Sequence, residues 1–498
     1  MAAIITEKFR QHNADQFFES FSEASASTYY LFVGKATAFT SGTTGGSDSS
    51  PPTPSDGPAD TEFYAWDSMI AAKNIPSSDI TYAIPRRNWS NGTVYDMYDD
   101  NISSSNTTTS GASNLYDSSF YFMTSDYRVY KVLDNNAGTA YSGAEPTSTS
   151  TSPFALGGYV LKYMYAITTS EAAKFLTSDF IPVSNDSTVS AAAVDGKIES
   201  IKVTAGTGYT NGTYYAAVYG DGTSAGTSSG AIIRITVASN QIQSFGLTAG
   251  SDTTIHAGGA GYTFGTVNLG AGYTFSDSGL SSASNMGGSG GAIEVVISPK
   301  NGHGNDAIGE LGGHYVMSAT TLTQAENDDI TTSNDFRQVG LVVDPTNYGT
   351  STVATASTRR QTFVVKAASS SGTFEVDEKI TQASTGAVGK VVEWDSTLSL
   401  LYFQQERFGD FGTNSTTGDH SVFTGANLIT GGTSSATLTP STDSETITLA
   451  NNNTLSTTSG YANPELQPDS GNIIYLENRK PIQRDSDQTE DIKLIIEF

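Results

Sequence analysis

Apolar residues in this sequence come in short runs broken by turn-forming residues, and that spacing points to strands rather than to a core of long helices. Between 81 and 183 the runs are TYAIPRRNW, SSFYFMTSDYRVYKVLD and GYVLKYMYAI, with FIPV closing the stretch. Apolar and polar side chains alternate in YRVYKV, the pattern of a strand with one face in water. The Asn/Ser/Thr-rich stretch at 101–114 reads as surface loop. Near the start, Asn13 with Gln16 three residues on resembles an N-cap pairing, and Phe17, Phe18 and Phe21 then share a face. This predicts a short amphipathic helix over about 14–25. YYLFVG (29–34) is a strand, proline-rich TSGTTGGSDSSPPTPSDGPAD (40–60) a loop, and WDSMIAAKN (66–74) a second short helix.

Beyond Asp195 the sequence echoes itself. KIESIKVTAGTGYTNGT (197–213) and QIQSFGLTAGSDTTIHAGGAGYTFGT (241–266) share Ile, Ser, a strand, Thr-Ala-Gly and then Gly-Tyr-Thr-x-Gly-Thr, and GAGYTF (270–275) repeats a fragment. Strand-plus-glycine-turn units of this kind bury their faces against one another, so 190–300 reads as an inserted β-repeat module. A second pair, FEVDEKITQASTGA (374–387) and FTGANLITGGTSSA (423–436), obeys Phe-x5-Ile-Thr-x5-Ala, with VGKVVEWDSTLSLLYFQ between them alternating as a hairpin. That makes 361–440 a second inserted β module. The host is then left in three pieces, 1–189, 301–360 and 441–498.

Length, 498 residues, exceeds what a single core usually supports. The 37% apolar content is modest, but 25 Tyr and 23 Phe among abundant Gly, Ser and Thr suit a β protein rather than a disordered chain. A formal net charge of −26 disfavours polyphosphate and anionic membrane partners, so neither nucleic acid nor membrane insertion is expected. No apolar run approaches the roughly 18 residues of a membrane span, and MAAII is followed at once by Thr6, Glu7 and Lys8, so no signal peptide is expected. With no cysteine there is no disulfide, thiolate metal site or thiol nucleophile.

Several motifs match only in form. GGSGG (287–291) fits G-x-S-x-G, but the strand AIEVVI follows the serine where a nucleophile elbow needs one before it. STGAVGKVV (384–392) has Ser384 and Val391 where a phosphate loop needs Gly and Ser/Thr, which leaves a turn and a strand. In DSDQTED (485–491), Thr489 and Glu490 break the calcium-loop pattern, so a solvated acidic turn is the better reading. His303 and His314 lie near Asp306 and Glu310 in sequence without a spacing that fixes a metal site, and no metal or cofactor is expected. In YAIPRRNW (82–89), Pro85 forces an extended entry and sends Arg86 and Arg87 in different directions. Pairing with carboxylates of the same chain and contact with another subunit are equally open to them.

In order along the chain, AIITEKFR (3–10), AIPRRNW (83–89), YRVYKVLD (127–134), GYVLKYMYAI (158–167), FRQVGLVVDPT (336–346) and SGNIIYLENRKPIQRDSDQTEDIKLIIEF (470–498) resemble the baseplate wedge subunit of T-even-type contractile-tailed phages, the gene-eight-product family. The two inserted modules depart from that pattern and look like repeats in tail proteins of cyanobacterial phages. The resemblance implies a mainly β fold, a β-sandwich core with short peripheral helices interrupted by the two modules. It implies a structural role without catalysis in the virion tail baseplate, after assembly in the host cytoplasm. The partners implied are other wedge proteins around a central hub, with a homodimer as a further option, and the baseplate rearranges on attachment.

The residues singled out for family signature or subunit contact are Arg86, Arg87 and Trp89, and then Glu477, Asn478, Arg479, Pro481, Asp487, Gln488, Thr489 and Glu490. IIYLEN and IKLIIEF are expected as core strands, with Phe498 packed. Replacing Arg86 and Arg87 together by Glu is expected to spare the fold and weaken wedge assembly. Two rival readings stand beside this one: a receptor-binding tail fibre or adhesin, favoured by Gly/Tyr/Thr repeats, and a tail-borne polysaccharide-degrading enzyme, which needs a carboxylate pair in a cleft.

Overall fold

The computed structural model describes residues 5–39, 45–55, 60–223, 226, 230–272, 279–406, 420–449 and 452–498. Parts of three sequence readings, AIITEKFR, the 40–60 loop and GAGYTF, lie outside the described residues. The protein is mainly β, with short helices. It divides into two compact units: Met1–Gln16 with Thr81–Met317 and Ile495–Phe498, and Phe17–Ile80 with Ser318–Leu494.

In the first unit, antiparallel strands Tyr121–Met123, Arg128–Asp134, Tyr159–Ala166 and Phe154–Leu156 form a sheet in that spatial order. YRVYKV does not have the wet face its alternation predicts. Every residue of Arg128–Asp134 after Arg128 is buried, because Lys131 finds an internal acid and Tyr130 and Val132 pack on the opposite side. Ile80–Pro85 pairs with Phe180–Val183.

The stretch 190–300 builds on this unit. Ser200–Tyr209 pairs along its length with Gly287–Val296, and Gln241–Ile242, Ile232–Ala238, Gly212–Gly220 and Gly265–Val267 form a further sheet. Its core, including Ile201, Ile233, Ile235 and Val295, also takes in Leu133 and Val160 of the preceding sheet. The two sequence repeats do not fold alike. SIKVTAGTGY is one ten-residue strand, whereas the second copy is strand only at Gln241–Ile242 before turning at Thr248–Asp252. GGSGG lies within the strand Gly287–Val296, paired with Ala205–Tyr209; Gly288 has φ +72, and a Cβ there would meet the Tyr209 ring at 2.2 Å.

The second unit holds a five-stranded sheet in the order Thr358–Arg360, Met69–Asn74, Tyr29–Gly34, Phe336–Val343, Asn472–Ile482. YYLFVG is a strand as read, buried throughout. WDSMIAAKN is not a helix: a helix over Asp60–Ser68 ends within it, and Met69–Asn74 is a strand hydrogen-bonded on both sides. A six-residue run buried on both faces carries no period to tell helix from strand, and pairing decides it. The first helix also departs from expectation, spanning Glu7–Glu19 rather than 14–25. Thr6 is the cap, its Oγ1 accepting from Phe9 N at 3.3 Å, so Asn13 falls mid-helix. Phe17 and Phe21 converge on Tyr29, whose ring stacks on Phe21 at 3.9 Å.

The stretch 361–440 closes on itself. Strands Leu400–Gln404, Ala387–Asp395, Lys379–Gln382, Ile429–Gly431, Thr437–Pro440 and Phe363–Ser371 pair in that order, and the last pairs back to the first, forming a barrel without a free edge among these strands. The repeats are its core. Phe374, Ile380 and Ala387 of one copy meet Phe423, Ile429 and Ala436 of the other, and the two Ile-Thr strands pair antiparallel, Thr381 opposite Thr430. VGKVVEWDSTLSLLYFQ is the hairpin its alternation predicts.

Candidate subunit interface

Arg86 and Arg87 follow the strand Ile80–Pro85 in the first unit, and neither has a carboxylate within ion-pair distance among the described residues. Arg86 donates from Nη1 to Thr177 O at 2.6 Å and from Nε to Asn88 Oδ1 at 2.9 Å. Arg87 is tied inward: Nη2 donates to Tyr116 O at 2.9 Å, the guanidinium sits 4.6 Å from the Tyr121 ring centre, and Nη1 is buried without a hydrogen-bond partner among the described residues. Trp89 lies edge-on to Tyr141 at 5.9 Å. The pair therefore divides. Arg87 is part of its own unit's packing, so replacing both arginines would disturb the fold as well as any contact; Arg86 is held by neutral acceptors, with no carboxylate against it among the described residues.

The second group of residues lies in the other unit. Among the described residues Asn472–Ile482 is the outer strand of its sheet, pairing with Phe336–Val343 alone. Asn478 is fixed on both sides, its Oδ1 accepting from Gln338 Nε2 at 2.8 Å and its Nδ2 donating to Pro52 O at 2.9 Å. Glu477 accepts from Tyr475 Oη at 2.9 Å, with Arg479 Nε 3.7 Å away. Register slips between the pairs Gln338–Asn478 and Phe336–Ile482, and Pro481 sits in the resulting bulge, where a missing N–H costs no ladder bond. Exposed Arg479 and Lys480 beside half-exposed Ile474 mark an edge guarded by charge and proline.

Asp487 and Gln488 form an exposed turn, with Gln488 O accepting from Gln324 N. Thr489 opens the strand Thr489–Glu497, and Glu490 accepts from Arg484 at 3.1 Å. Phe498 is half-buried rather than deep in a core, its N–H bonded to His314 O at 3.1 Å.

Sequence reasoning missed the charges that organise the interior. Arg484, 2% exposed in its side chain, donates to the carbonyls of Gln324, Ile330 and Thr331 and binds the very turn read as merely solvated. In the first unit Lys131 Nζ lies 2.8 Å from Glu310 Oε2, 3.0 Å from His303 Nδ1 and 3.8 Å from the centre of the Tyr98 ring. Burial pulls the Lys131 ammonium below its ordinary pKa against the pull of Glu310, and burial and Lys131 hold His303 well below the usual imidazole value. His314 is separate, against Glu7 and Arg10, so the two histidines are not brought together. Among the described residues no group of three His, Asp or Glu is placed to hold a metal ion, and no helix is long and apolar enough to cross a membrane.

No curated protein matches the chain. The family model described as Bacteriophage T4, Gp8 matches residues 3–151 and 442–498, segments that contain every position discussed above as a candidate contact and no part of 190–300 or 361–440. Over these segments, under half of the chain, the protein is similar to the Phage-Gp8 family.

Proposed function

We propose that the protein packs beside other wedge subunits around the baseplate hub through Arg86 and the outer strand Asn472–Ile482, and takes part in the rearrangement of the baseplate on attachment. The observation that carries this reading is that the family-matched segments contain both an arginine with no carboxylate against it among the described residues and an outer strand with exposed charges. A wedge partner offering a carboxylate to Arg86 and acidic or hydrogen-bonding groups along Arg479 and Lys480 completes both. The strong negative charge of the whole chain keeps the unassembled subunit soluble until those partners arrive. On this reading the protein is not an enzyme and is assembled in the host cytoplasm. The same outer strand is the place for a homodimer.

Co-expression with the other wedge proteins of the same phage tests the proposal. Arg86→Glu and Arg479→Glu should each leave the circular dichroism spectrum unchanged and lower recovery of the co-purified complex. Normal recovery of both variants would sink the interface assignment, and sedimentation of the protein alone separates a homodimer from a hetero-complex.

A further inference from the structure

The outer strand Asn472–Ile482 is guarded at one end only. Arg479, Lys480 and Pro481 oppose the approach of another strand, whereas Ile473, Ile474, Tyr475 and Leu476 form an unbroken apolar run in which Ile474 is 47% exposed. Among the described residues no strand, turn or side chain bonds to the main chain of 472–478 on its outer side, so alternate N–H and C=O groups there face no protein partner. A groove lies along this same half. Two hollows of about 210 and 200 Å³ share Pro54, Ser55, Thr61 and Leu476, and so run on from one another between the outer strand and the segment 52–55 with the start of the helix Asp60–Ser68. Ala65 and Trp66 of that helix share a core with Ile473 and Leu476, which fixes the two walls. At the inner end Gln338, 7% exposed, donates to Asn478 Oδ1 and has its Oε1 buried without a partner among the described residues. Beside it Lys35 Nζ donates to Thr37 Oγ1 at 2.7 Å and stands 4.0 Å from Glu406 Oε1, too far for a hydrogen bond.

An open strand edge is a row of main-chain donors and acceptors, and what satisfies such a row along its length is another extended main chain. The groove beside it takes alternate apolar side chains of that chain. Charge sets its ends: exposed Glu62 lines the groove beside Ile473 and Ile474, and exposed Lys480 lies at the far end of the strand. We propose that this edge receives an extended segment of a partner polypeptide, added as a further strand along 472–478, with apolar residues in the groove, a basic residue against Glu62 and an acidic one against Lys480. The proposal rests on the wedge reading and gives that contact its geometry, main-chain pairing rather than side-chain ion pairs alone. A small molecule would fill the hollows and leave the edge unsatisfied. A second copy of the same strand is the nearest rival, because two copies pairing antiparallel about Asn478 set Glu477 opposite Arg479. That register also sets Leu476 opposite Lys480 and Tyr475 opposite Pro481, which has no N–H to give.

The test is hydrogen exchange read by mass spectrometry on the full chain, alone and in the complex formed by co-expression with the other wedge proteins of the same phage. Main-chain pairing slows exchange of the outward amides, which side-chain contact alone does not. The expected result is that amides within 472–478 exchange at least about tenfold more slowly in the complex than in the free chain. Two surface variants accompany it, Ile474→Asp in the apolar run and Glu62→Lys at the groove's end. Each should leave the melting temperature unchanged and weaken the complex by about tenfold. A complex that forms while 472–478 exchanges as in the free chain, or that is unweakened by both variants, would overturn strand addition and leave the wedge reading standing. Failure to form any complex would overturn both. Slow exchange of 472–478 in the isolated chain, at concentrations where it sediments as a dimer, would put a second copy on the edge and overturn the assignment to a different polypeptide.

Discussion

Lys131 Nζ lies 2.8 Å from Glu310 Oε2, with side-chain exposures of 0% and 3%. This buried pair joins the strand Arg128–Asp134 to the short helix Ala307–Leu311, and Glu310 Oε1 also accepts from Gly304 N at 2.7 Å. Removing one partner leaves the other charged and unpaired in a dry site. Lys131→Met is therefore expected to destabilise the protein by about 3–5 kcal/mol, while Lys131→Met with Glu310→Leu recovers most of the loss. Denaturant titration of the two variants beside the parent checks this, and a double variant no better than the single one would refute it.

The same pair shows where sequence reading stops. Alternation in YRVYKV is real, but a buried lysine and a solvated one look identical in sequence, because what buries Lys131 is an acid 179 positions away. MIAAKN failed for a related reason, its strand character coming from Tyr29–Gly34 and Thr358–Arg360 on either side. Where the pattern was local it could be read. YYLFVG, the hairpin after Ala387, the reversed context of GGSGG and the Phe-x5-Ile-Thr-x5-Ala repeat needed only neighbouring residues. Of the contact candidates, Arg86 and Arg87 looked equivalent in sequence, and the Tyr121 ring with the Tyr116 carbonyl, both distant in sequence, separates them.

The barrel makes a prediction from its internal symmetry. Ile380 and Ile429 hold equivalent places in the two repeats and are both fully buried in one core. Ile380→Ala and Ile429→Ala should each cost about 2–5 kcal/mol, with similar values, and the double variant should depart from additivity because the two share that core. Hydrogen exchange of peptides from 361–440 would register the loss; a large effect from one isoleucine and little from the other would contradict equivalence.

Asp134 gives a pH dependence. Burial raises its carboxyl to about 6, opposed by the hydrogen bond from Asn136 N at 2.9 Å. Between the ordinary carboxyl value and 6 the folded protein holds a proton that the unfolded chain releases. The stability this supplies is complete in acid and is lost as pH rises through about 6. Asp134→Asn keeps the acceptor and removes the charge, so it should stabilise the protein by about 1–3 kcal/mol at pH 7.5 and by progressively less toward pH 4. His303, held below its ordinary value, acts in the opposite sense, losing stability as pH falls through the unfolded imidazole value. The comparison is therefore variant against parent at each pH, by thermal melting; a gain that persists unchanged at pH 4 would contradict the assignment.

The central claim is that this chain is built into a baseplate wedge. The most direct measurement is reconstitution: co-expression with the other wedge proteins of its phage, followed by sedimentation and electron microscopy of the purified assembly. The account predicts a stoichiometric complex containing this chain, with the outer strand Asn472–Ile482 covered by a neighbouring subunit. Wedges that assemble without it, while it remains a separate particle in the same preparation, would contradict the account.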